Sequence, residues 1–347
     1  MGKMTDELTP KERVLRLFDK KKIDRIPCFS GMGNVTIEGM RKLDMQFADA
    51  HKDADKMATL AASTYELYGF ECAVVPFDLG IEAEALGCEM NFYEKSEATI
   101  LYPTVKTKIA GFETPIDFPG KIEEKGRVPL VKRAIEMLKE DLLEGIAIGS
   151  YVLGPFTLAG QLLDLNDLLK NSYKRPDEVN AFLDSLEEVI VAIANTLKES
   201  GADYITIREM GAPADVISPR MFKSLVRPHL ARTIGRIEPP TVLHICGNTN
   251  PIIEMMHECG PTAISVEQKN DVKATREKLG EDALIFGNID PYNVIVKGTP
   301  NEIEQSVKEA IKNGVNAVWP GCDIWPEVPV ENMKALVEAT KKYGVIS

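Results

Sequence analysis

The sequence lacks several features that define other classes of protein. It has no apolar run long enough to span a bilayer, and we expect no membrane partner. Its longest basic run is Lys20-Lys-Lys22 and its formal net charge is −12, so nucleic acid is not an expected partner. A secretion signal peptide is also missing, and we therefore expect a cytoplasmic protein whose six cysteines are thiols.

What the sequence does contain is a regular alternation of strands and helices. Hydrophobic residues make up 44% of the 347 residues and charged residues 27%, as in an ordinary globular protein. Eight short apolar strands alternate with helices, which favours a single (β/α)8 TIM barrel domain over residues 1–347. An open doubly wound sheet is the alternative, but no glycine-rich dinucleotide-binding loop supports it. The predicted strands are residues 26–29, 72–76, 146–151, 202–207, 241–246, 263–266, 284–286 and 315–319.

Two segments lie outside this alternation. The sequence Thr9-Pro-Lys-Glu12 combines a capping box with a proline at the first helical position, which predicts an N-terminal helical extension before the first strand. The sequence of residues 89–119 predicts a small excursion, that is, a segment of short strands and turns outside the barrel alternation. The sequence leaves open whether this excursion covers the barrel mouth or contacts a partner.

A histidine and two cysteines form the most informative pattern. His244 and Cys246 are two positions apart, so their side chains point to the same face of a strand. Cys322 follows the last predicted strand. One imidazole and two thiolates are a common zinc ligand set, and three protein ligands leave a fourth position open, as in catalytic zinc sites. On spacing alone the alternative stays open, in which His244 ends a buried strand and the cysteines fill the core.

The predicted barrel brings these residues together. In such barrels the active site lies at the carboxyl ends of the strands, where His244, Cys246 and Cys322 all lie. Other polar residues follow the predicted strands and should reach the same mouth. These polar residues are Asn34, Asp78, Arg208, Glu267 and Asn288. For each of them, the competing explanation is that the side chain caps the helix that follows.

Several short segments carry a resemblance to a known family. Besides the His-x-Cys…Cys pattern, they are Lys11-Glu-Arg-Val-Leu15, Asp24-Arg-Ile-Pro27, Glu84-Ala-Leu-Gly-Cys88, Gly154-Pro-Phe-Thr-Leu-Ala159, Ser265-Val-Glu267, Gly287-Asn288 and Glu331-Asn-Met-Lys-Ala-Leu-Val337. Over nearly its whole length the sequence resembles the uroporphyrinogen decarboxylase superfamily, and within it the methylcobamide:coenzyme M methyltransferases. The resemblance implies a (β/α)8 barrel and a zinc ion bound by His244, Cys246 and Cys322.

The resemblance also implies a reaction. The expected enzyme moves a methyl group from methyl-cobalt(III) of a methylcobalamin-type corrinoid to a zinc-activated thiol, with coenzyme M as the expected acceptor. The corrinoid would be carried by a small partner protein that docks at a wide barrel mouth. Glu267 is the candidate fourth zinc ligand or a partner of the ligands, with a surface helix cap as the alternative. We expect Asn34, Asp78, Arg208 and Asn288 to contact the substrate.

The zinc ligands do not fix the direction of the reaction. One alternative is demethylation of a small methoxy, methylthio or methylamino compound onto cobalt(I), and another uses tetrahydrofolate as the acceptor. A non-catalytic partner of the corrinoid protein is the alternative from another class. Uroporphyrinogen decarboxylase itself is disfavoured, because the decarboxylases carry arginines that bind substrate carboxylates in the loop that here reads Ser30-Gly-Met-Gly-Asn34.

Two charged residues have open assignments. Asp78 stands in the place of the pyrrole-binding aspartate of the decarboxylases, and it could instead form an ion pair with Arg208 or Arg25. Arg208 could bind a sulfonate or carboxylate of the acceptor, or pair with Glu209 or Asp215. The loop at residues 30–34, with two glycines, is expected to be flexible.

Overall fold

The computed structural model describes residues 6–94, 100–111, 115–142 and 145–346. Its centre is a curled sheet of seven parallel strands in the order β1-β4-β5-β6-β7-β8-β9. The strands of this sheet are β1 (Cys72–Val74), β4 (Ala147–Leu153), β5 (Tyr204–Arg208), β6 (Thr241–His244), β7 (Ala263–Ser265), β8 (Ile285–Ile289) and β9 (Ala317–Pro320). Each of these seven strands overlaps a segment that the sequence predicts as a strand.

The eighth position of the barrel is filled by the segment around Cys28. Cys28 forms a parallel bridge with Val318 of β9. On its other side, the carbonyl oxygen of Cys28 accepts a hydrogen bond of 2.9 Å from the amide of Glu71, next to β1. The segment therefore joins the first and last strands of the sheet, and the predicted (β/α)8 barrel is confirmed. The predicted first strand is reduced to a bridge.

Helices surround this sheet and alternate with its strands. The α-helices of the described residues are α1 (Pro10–Phe18), α2 (Ile37–Lys42), α3 (Phe47–Ala50), α4 (Ala54–Tyr68), α5 (Ile81–Ala85), α6 (Val128–Met137), α7 (Pro155–Leu162), α8 (Leu165–Lys174), α9 (Pro176–Glu199), α10 (Pro219–Met221), α11 (Arg227–Ile234), α12 (Ile253–Glu258), α13 (Val272–Leu279), α14 (Pro300–Lys312) and α15 (Val330–Tyr343). A 3-10 turn spans Ile122–Glu124, and π-helical segments span Leu138–Leu142, Phe222–Val226 and Pro291–Val296. Within this described part of the chain, none of the helices combines the length and the apolarity that a bilayer span requires.

Aromatic side chains form the centre of the core. The ring of Phe29 lies 5.0 Å from Trp319 and 5.6 Å from Tyr204, both in edge-to-face contact. Phe286 stacks on Trp319 at 5.4 Å. Phe18, at the end of α1, joins this cluster at 5.5 Å from Tyr204. The predicted N-terminal helical extension therefore packs against the barrel interior, and its predicted capping box, Thr9 with Glu12, is present.

The excursion lies at the barrel mouth. It contains an antiparallel pair of short strands, β2 (Met90–Asn91) and β3 (Thr104–Val105). Residues 95–99 and 112–114 of the predicted excursion lie outside the described residues. Tyr102 and Val105 line the cavity at the carboxyl ends of the strands, so the described part of the excursion covers one side of the mouth.

Candidate active site

Three side chains with metal-binding atoms converge at the barrel mouth. His244 is the last residue of β6, Cys246 lies two residues further, and Cys322 lies two residues beyond β9. The His244 Nε2 atom is 3.1 Å from the Cys246 sulfur, which is 3.5 Å from the Cys322 sulfur. The three ligand atoms all lie within 4.8 Å of one another. The structure thus brings together the three residues that the sequence pattern singles out.

Neighbouring groups fix the orientation of this cluster. The Nδ1 atom of His244, which is fully buried, lies 3.0 Å from the hydroxyl oxygen of Ser265. Because Nδ1 is engaged there, Nε2 is the nitrogen presented to the two sulfurs. A hydrogen bond from Cys322 lowers the pKa of Cys246, while this hydrogen bond to Cys246, together with burial, holds the pKa of Cys322 well above its usual 9.0. Without a metal, the pair therefore favours one thiolate at a time.

Glu267 acts on the backbone next to Cys246. Its carboxylate accepts a hydrogen bond from the amide of Gly247, and the residue is 8% exposed. A buried carboxylate that bonds to the neighbouring loop is not a surface helix cap. Its contact restrains the segment that carries Cys246.

Asp78 is fully engaged by partners that the sequence analysis did not identify. Arg127 donates to both carboxylate oxygens, at 2.7 and 2.9 Å, and His51 Nδ1 lies 3.0 Å from one of them. The Gly80 amide donates a further bond of 2.9 Å. Burial alone would raise the pKa of Asp78, but the bonds from His51 and Arg127 hold it well below its usual 3.8. The alternative considered for Asp78, an ion pair with Arg208 or Arg25, is therefore not the one that forms.

Arg208 also has a different partner from those predicted. Its two terminal nitrogens donate to Asp323 at 3.1 and 2.5 Å, and not to Glu209 or Asp215. The guanidinium also lies 4.8 Å from the centre of the Tyr151 ring. Asp323 comes directly after Cys322, so this ion pair joins β5 to the loop that carries a candidate ligand.

Glu209, which follows Arg208, has a structural role at the start of α7. Its carboxylate accepts a bond of 3.0 Å from the Phe156 amide and another from the Thr157 hydroxyl. These bonds satisfy donors at the helix N-terminus. A Cβ atom on Gly154 would lie 2.4 Å from the Glu209 carboxylate, which explains the glycine in the Gly154-Pro-Phe-Thr segment.

Two predicted substrate contacts are occupied within the protein. Asn34 is 4% exposed and, with its amide nitrogen as donor, bonds to the carbonyl oxygens of Met32 and Gly33 at 3.1 and 3.2 Å. Asn288 donates to the Asn270 carbonyl oxygen at 3.1 Å. Neither residue is among those that line the cavity at the mouth.

The loop that contains Asn34 is also not the flexible loop that its glycines suggested. Residues 27–36 are buried. A Cβ atom on Gly31 would lie 1.9 Å from the Thr206 hydroxyl and 2.9 Å from Trp319. The glycine is therefore required for close approach of the backbone to the barrel interior rather than for flexibility.

A cavity of about 840 Å³ opens beside the three candidate ligands. Cys322 lines it, together with Asp78, Arg208 and Asp323. Most of its remaining wall is apolar and comes from three segments, the loop after β1, the excursion and the loop after β9. The apolar wall residues are Phe77, Leu79, Ile100, Tyr102, Pro103, Val105, Ile324, Trp325 and Pro326.

A second group of ligand-type side chains lies outside the mouth. It consists of Asp184 and Glu187 on α9 and His229 on α11. Arg232 donates to both carboxylates, so a protein cation already occupies the position that a metal would need. Among the described residues, the mouth is therefore the better candidate for a metal centre.

Comparison with known proteins identifies the family. The family profile "Uroporphyrinogen decarboxylase (URO-D)" matches residues 9–343. The methylcobamide:CoM methyltransferase MtaA of Methanosarcina barkeri is 33% identical over 339 residues, which cover 97% of this chain and 99% of the relative. The methylcobamide:CoM methyltransferase MtbA of Methanosarcina acetivorans is 33% identical over 341 residues, with the same coverage.

A solved structure agrees with these relatives. A methyltransferase from Methanosarcina mazei superposes with a TM-score of 0.90 at 32% identity, covering 97% of this chain and 99% of that chain. The protein belongs to the uroporphyrinogen decarboxylase family. Its relatives and its fold place it among the methyltransferases of that family, so its class of activity is methyl transfer.

Two residues at the mouth were missed by the sequence analysis. Asp323 carried a signal, since it is a charged residue directly after Cys322 and an apolar strand. Arg127 carried none, because it precedes α6 on the outside of the predicted alternation. Its role depends on a contact with Asp78, 49 residues away.

Proposed function

We propose that the protein moves a methyl group from a methylated corrinoid protein to a small thiol, with coenzyme M as the acceptor. The observation that carries the proposal is the convergence of the His244 imidazole and the Cys246 and Cys322 sulfurs beside an apolar cavity. This arrangement occurs in a chain that is 33% identical to methylcobamide:CoM methyltransferases.

The donor set at the mouth fits a zinc ion. Two sulfurs and one imidazole nitrogen are soft and borderline ligands that favour zinc over hard cations. His244, Cys246 and Cys322 would hold it, and Glu267 is the candidate for a fourth ligand or for a partner of the ligands. Zinc bound there would lower the pKa of a substrate thiol and so supply the thiolate at neutral pH.

The side chains of the protein prepare this site for the thiol. Ser265 fixes the His244 ring, and Glu267 restrains the Cys246 loop through Gly247. In the overall reaction the thiol loses its proton and a sulfur–carbon bond forms. The carbon–cobalt bond breaks with its electron pair left on cobalt, which passes from cobalt(III) to cobalt(I). The protein contributes position and a largely apolar cavity wall, and the reaction needs no general acid.

The size of the mouth supports a second, larger reactant. A cavity of about 840 Å³ is much larger than a small thiol needs. Its apolar wall continues to exposed side chains at the rim, Leu101 and Trp325. We propose that the corrinoid protein docks over this rim, as expected from the sequence. The predicted substrate contacts of Asn34, Asp78, Arg208 and Asn288, and the cytoplasmic location, stay predictions.

The test combines metal content with a spectroscopic assay. Purified wild-type protein is expected to contain about one zinc per chain, as one three-residue site allows. Cys322→Ser should lose most of that zinc. With free methylcobalamin under anaerobic conditions, the wild type should convert the methylcobalamin spectrum only when coenzyme M is added, and Cys322→Ser should not. Zinc-free wild-type protein, or full activity in Cys322→Ser, would refute the proposal.

A matched control separates the site from the fold. Cys259 is a buried thiol that donates to the Met255 carbonyl oxygen at 3.2 Å. A serine at this position can make the same bond, so Cys259→Ser should keep both zinc and activity. If the wild type holds zinc but does not react with coenzyme M, two further assays follow. The first uses tetrahydrofolate as the acceptor, and the second uses methylated small molecules and cobalt(I) corrinoid. Turnover of one of these would replace the proposed acceptor or direction.

A further inference from the structure

The loop that carries Cys322 is held by contacts on both sides of the cysteine. Before it, the Gly321 amide donates to the Ile289 carbonyl oxygen at 2.7 Å. After it, the Ile324 amide donates to the Gly33 carbonyl oxygen at 3.1 Å. These bonds tie the loop to β8 on one side and to the buried loop at residues 30–34 on the other.

Asp323 is the centre of the second attachment. One carboxylate oxygen accepts from the Gly33 amide at 2.7 Å and from an Arg208 nitrogen at 3.1 Å. The other accepts from the second terminal nitrogen of Arg208 at 2.5 Å. A Cβ atom on Gly33 would lie 3.1 Å from this carboxylate, so the glycine permits the approach. Three donors from two separate segments therefore meet on one side chain next to Cys322.

Arg208 connects this attachment to the other candidate ligands. In the backbone register of the parallel strands β5 and β6, Arg208 lies opposite His244. Its side chain is 2% exposed, and it crosses the mouth to reach Asp323. A bidentate pair of this kind fixes direction as well as distance. The strand beside His244 is thus joined to the residue beside Cys322.

We propose that Arg208 and Asp323 are a positioning pair that holds the Cys322 sulfur at the distance and direction required for metal binding with His244 and Cys246. The proposal rests on the proposed function, since it concerns the same metal. Glu267 restrains the Cys246 loop through Gly247, and the Arg208–Asp323 pair does the equivalent for Cys322. Partners of this kind commonly change metal affinity about 10- to 100-fold when they are removed.

The experiment uses a variant that removes both charges. Asp323→Ala alone would leave Arg208 buried without its partner, so the main variant is Arg208→Met/Asp323→Ala, which leaves no uncompensated charge. Asp323→Asn is the milder second variant, because it keeps an acceptor for Gly33. The control is Asp290→Ala, which removes a carboxylate after β8 whose bonds, among the described residues, stay within its own turn, to Tyr292 and Asn293.

Two measurements on the full-length proteins decide the matter, and neither depends on turnover. Zinc affinity is measured by competition with a chromogenic chelator, and the double variant should bind about 10- to 100-fold more weakly than the wild type. The second readout is the sulfur-to-cobalt charge-transfer band of protein loaded with cobalt(II) alone. In the double variant this band should fall toward that of Cys322→Ser, with Asp323→Asn in between and Asp290→Ala unchanged.

The outcomes separate the two proposals. A wild-type protein that shows no two-thiolate cobalt band refutes the metal site itself, and with it the proposed function. A wild-type band that persists at full strength in the double variant, with unchanged zinc affinity, overturns the positioning pair and leaves the proposed function intact. A double variant with a lower melting temperature but wild-type affinity and band also overturns it, because the pair is then structural only.

Discussion

Replacement of Arg127 by methionine tests the electrostatics of the mouth. In the structure this arginine donates to both oxygens of Asp78 and, at 2.6 Å, to Glu84. The side chains of Arg127 and Asp78 are 7% and 0% exposed. Methionine keeps most of the apolar volume and the contact with Phe92, but it supplies no donor. Asp78 is then left with His51 and Gly80 as partners in a buried position.

The part of the stability loss that comes from leaving Asp78 buried without its cation can be bounded from the ionisation of Asp78. A buried carboxylate that loses its cation can be protonated instead, so the penalty cannot greatly exceed the free energy of protonation. From its usual pKa of 3.8, and with about 1.4 kcal/mol for each pH unit, protonation costs about 4 kcal/mol at pH 7 and about 2 kcal/mol at pH 5. The value at pH 7 agrees with the 3–5 kcal/mol, roughly, found when buried pairs are broken.

The sign of the pH dependence follows from the same argument. In the wild type the pKa of Asp78 is lowered, so its contribution to stability is present above pH 3.8 and lost as the pH falls toward the folded-state value. In Arg127→Met burial raises the pKa, so the penalty is largest at neutral pH and shrinks as the pH falls. The difference in stability between the two proteins should therefore narrow from pH 7 to pH 5.

The assay is urea unfolding followed by tryptophan fluorescence at both pH values. The control is Arg133→Met on α6, because Arg133 is half exposed and pairs only with Glu136 of its own helix in the contacts described. An exposed pair of this type contributes at most about 1 kcal/mol. A loss below about 1 kcal/mol in Arg127→Met at pH 7, or a loss that does not change with pH, would refute this reasoning.

Two further predictions concern buried titratable groups. In metal-free native protein a maleimide reagent should label Cys246 first, because this thiol is partly exposed and a hydrogen bond from Cys322 lowers its pKa. Cys28, Cys72, Cys88 and Cys259 should stay unlabelled until denaturant is added, because they are buried and burial raises the pKa of Cys72 and Cys259 to about 12 and also raises the pKa of Cys28 and Cys88. Mass spectrometry of peptides checks this, and labelling of Cys72 in native protein would contradict it. Burial raises the pKa of Glu82 from 4.5 to about 7, so the free energy of unfolding of the wild type should fall as the pH rises through that range. Glu82→Gln should remove this part of the dependence of stability on pH. Parallel pH profiles of the unfolding free energy for the two proteins would contradict the prediction.

The barrel and the ligand cluster could be predicted from the sequence for a physical reason. Strand alternation is a local property, and eight repeats leave few ways to close a parallel sheet. The carboxyl-end rule then places residues such as His244 and Cys322 at one mouth, although 77 intervening residues separate them in the chain. The four remaining cysteines lie outside this cluster and are buried.

The ion pairs could not be predicted in the same way. Arg208 had several carboxylates within reach on the predicted mouth, and only the folded loop after β9 selects Asp323, 115 residues away. The glycines of residues 30–34 were also misinterpreted, because glycine permits both flexibility and close approach. A single sequence does not distinguish the two, whereas the contact of Gly31 with Thr206 does.

The charges at the mouth also bear on the decarboxylase alternative. A substrate with many carboxylates needs cations that are free to receive them. Of the cavity-lining residues in the described part of the chain, the cations are Lys108 and Arg208. Lys108 donates to the Gly160 carbonyl oxygen, Arg208 is paired with Asp323, and the nearby Arg127 is paired with Asp78. Asp78 in turn has no oxygen left for a pyrrole. A mouth whose arginines are paired internally and whose wall is largely apolar suits methyl transfer to a thiol far better than binding of a polycarboxylate.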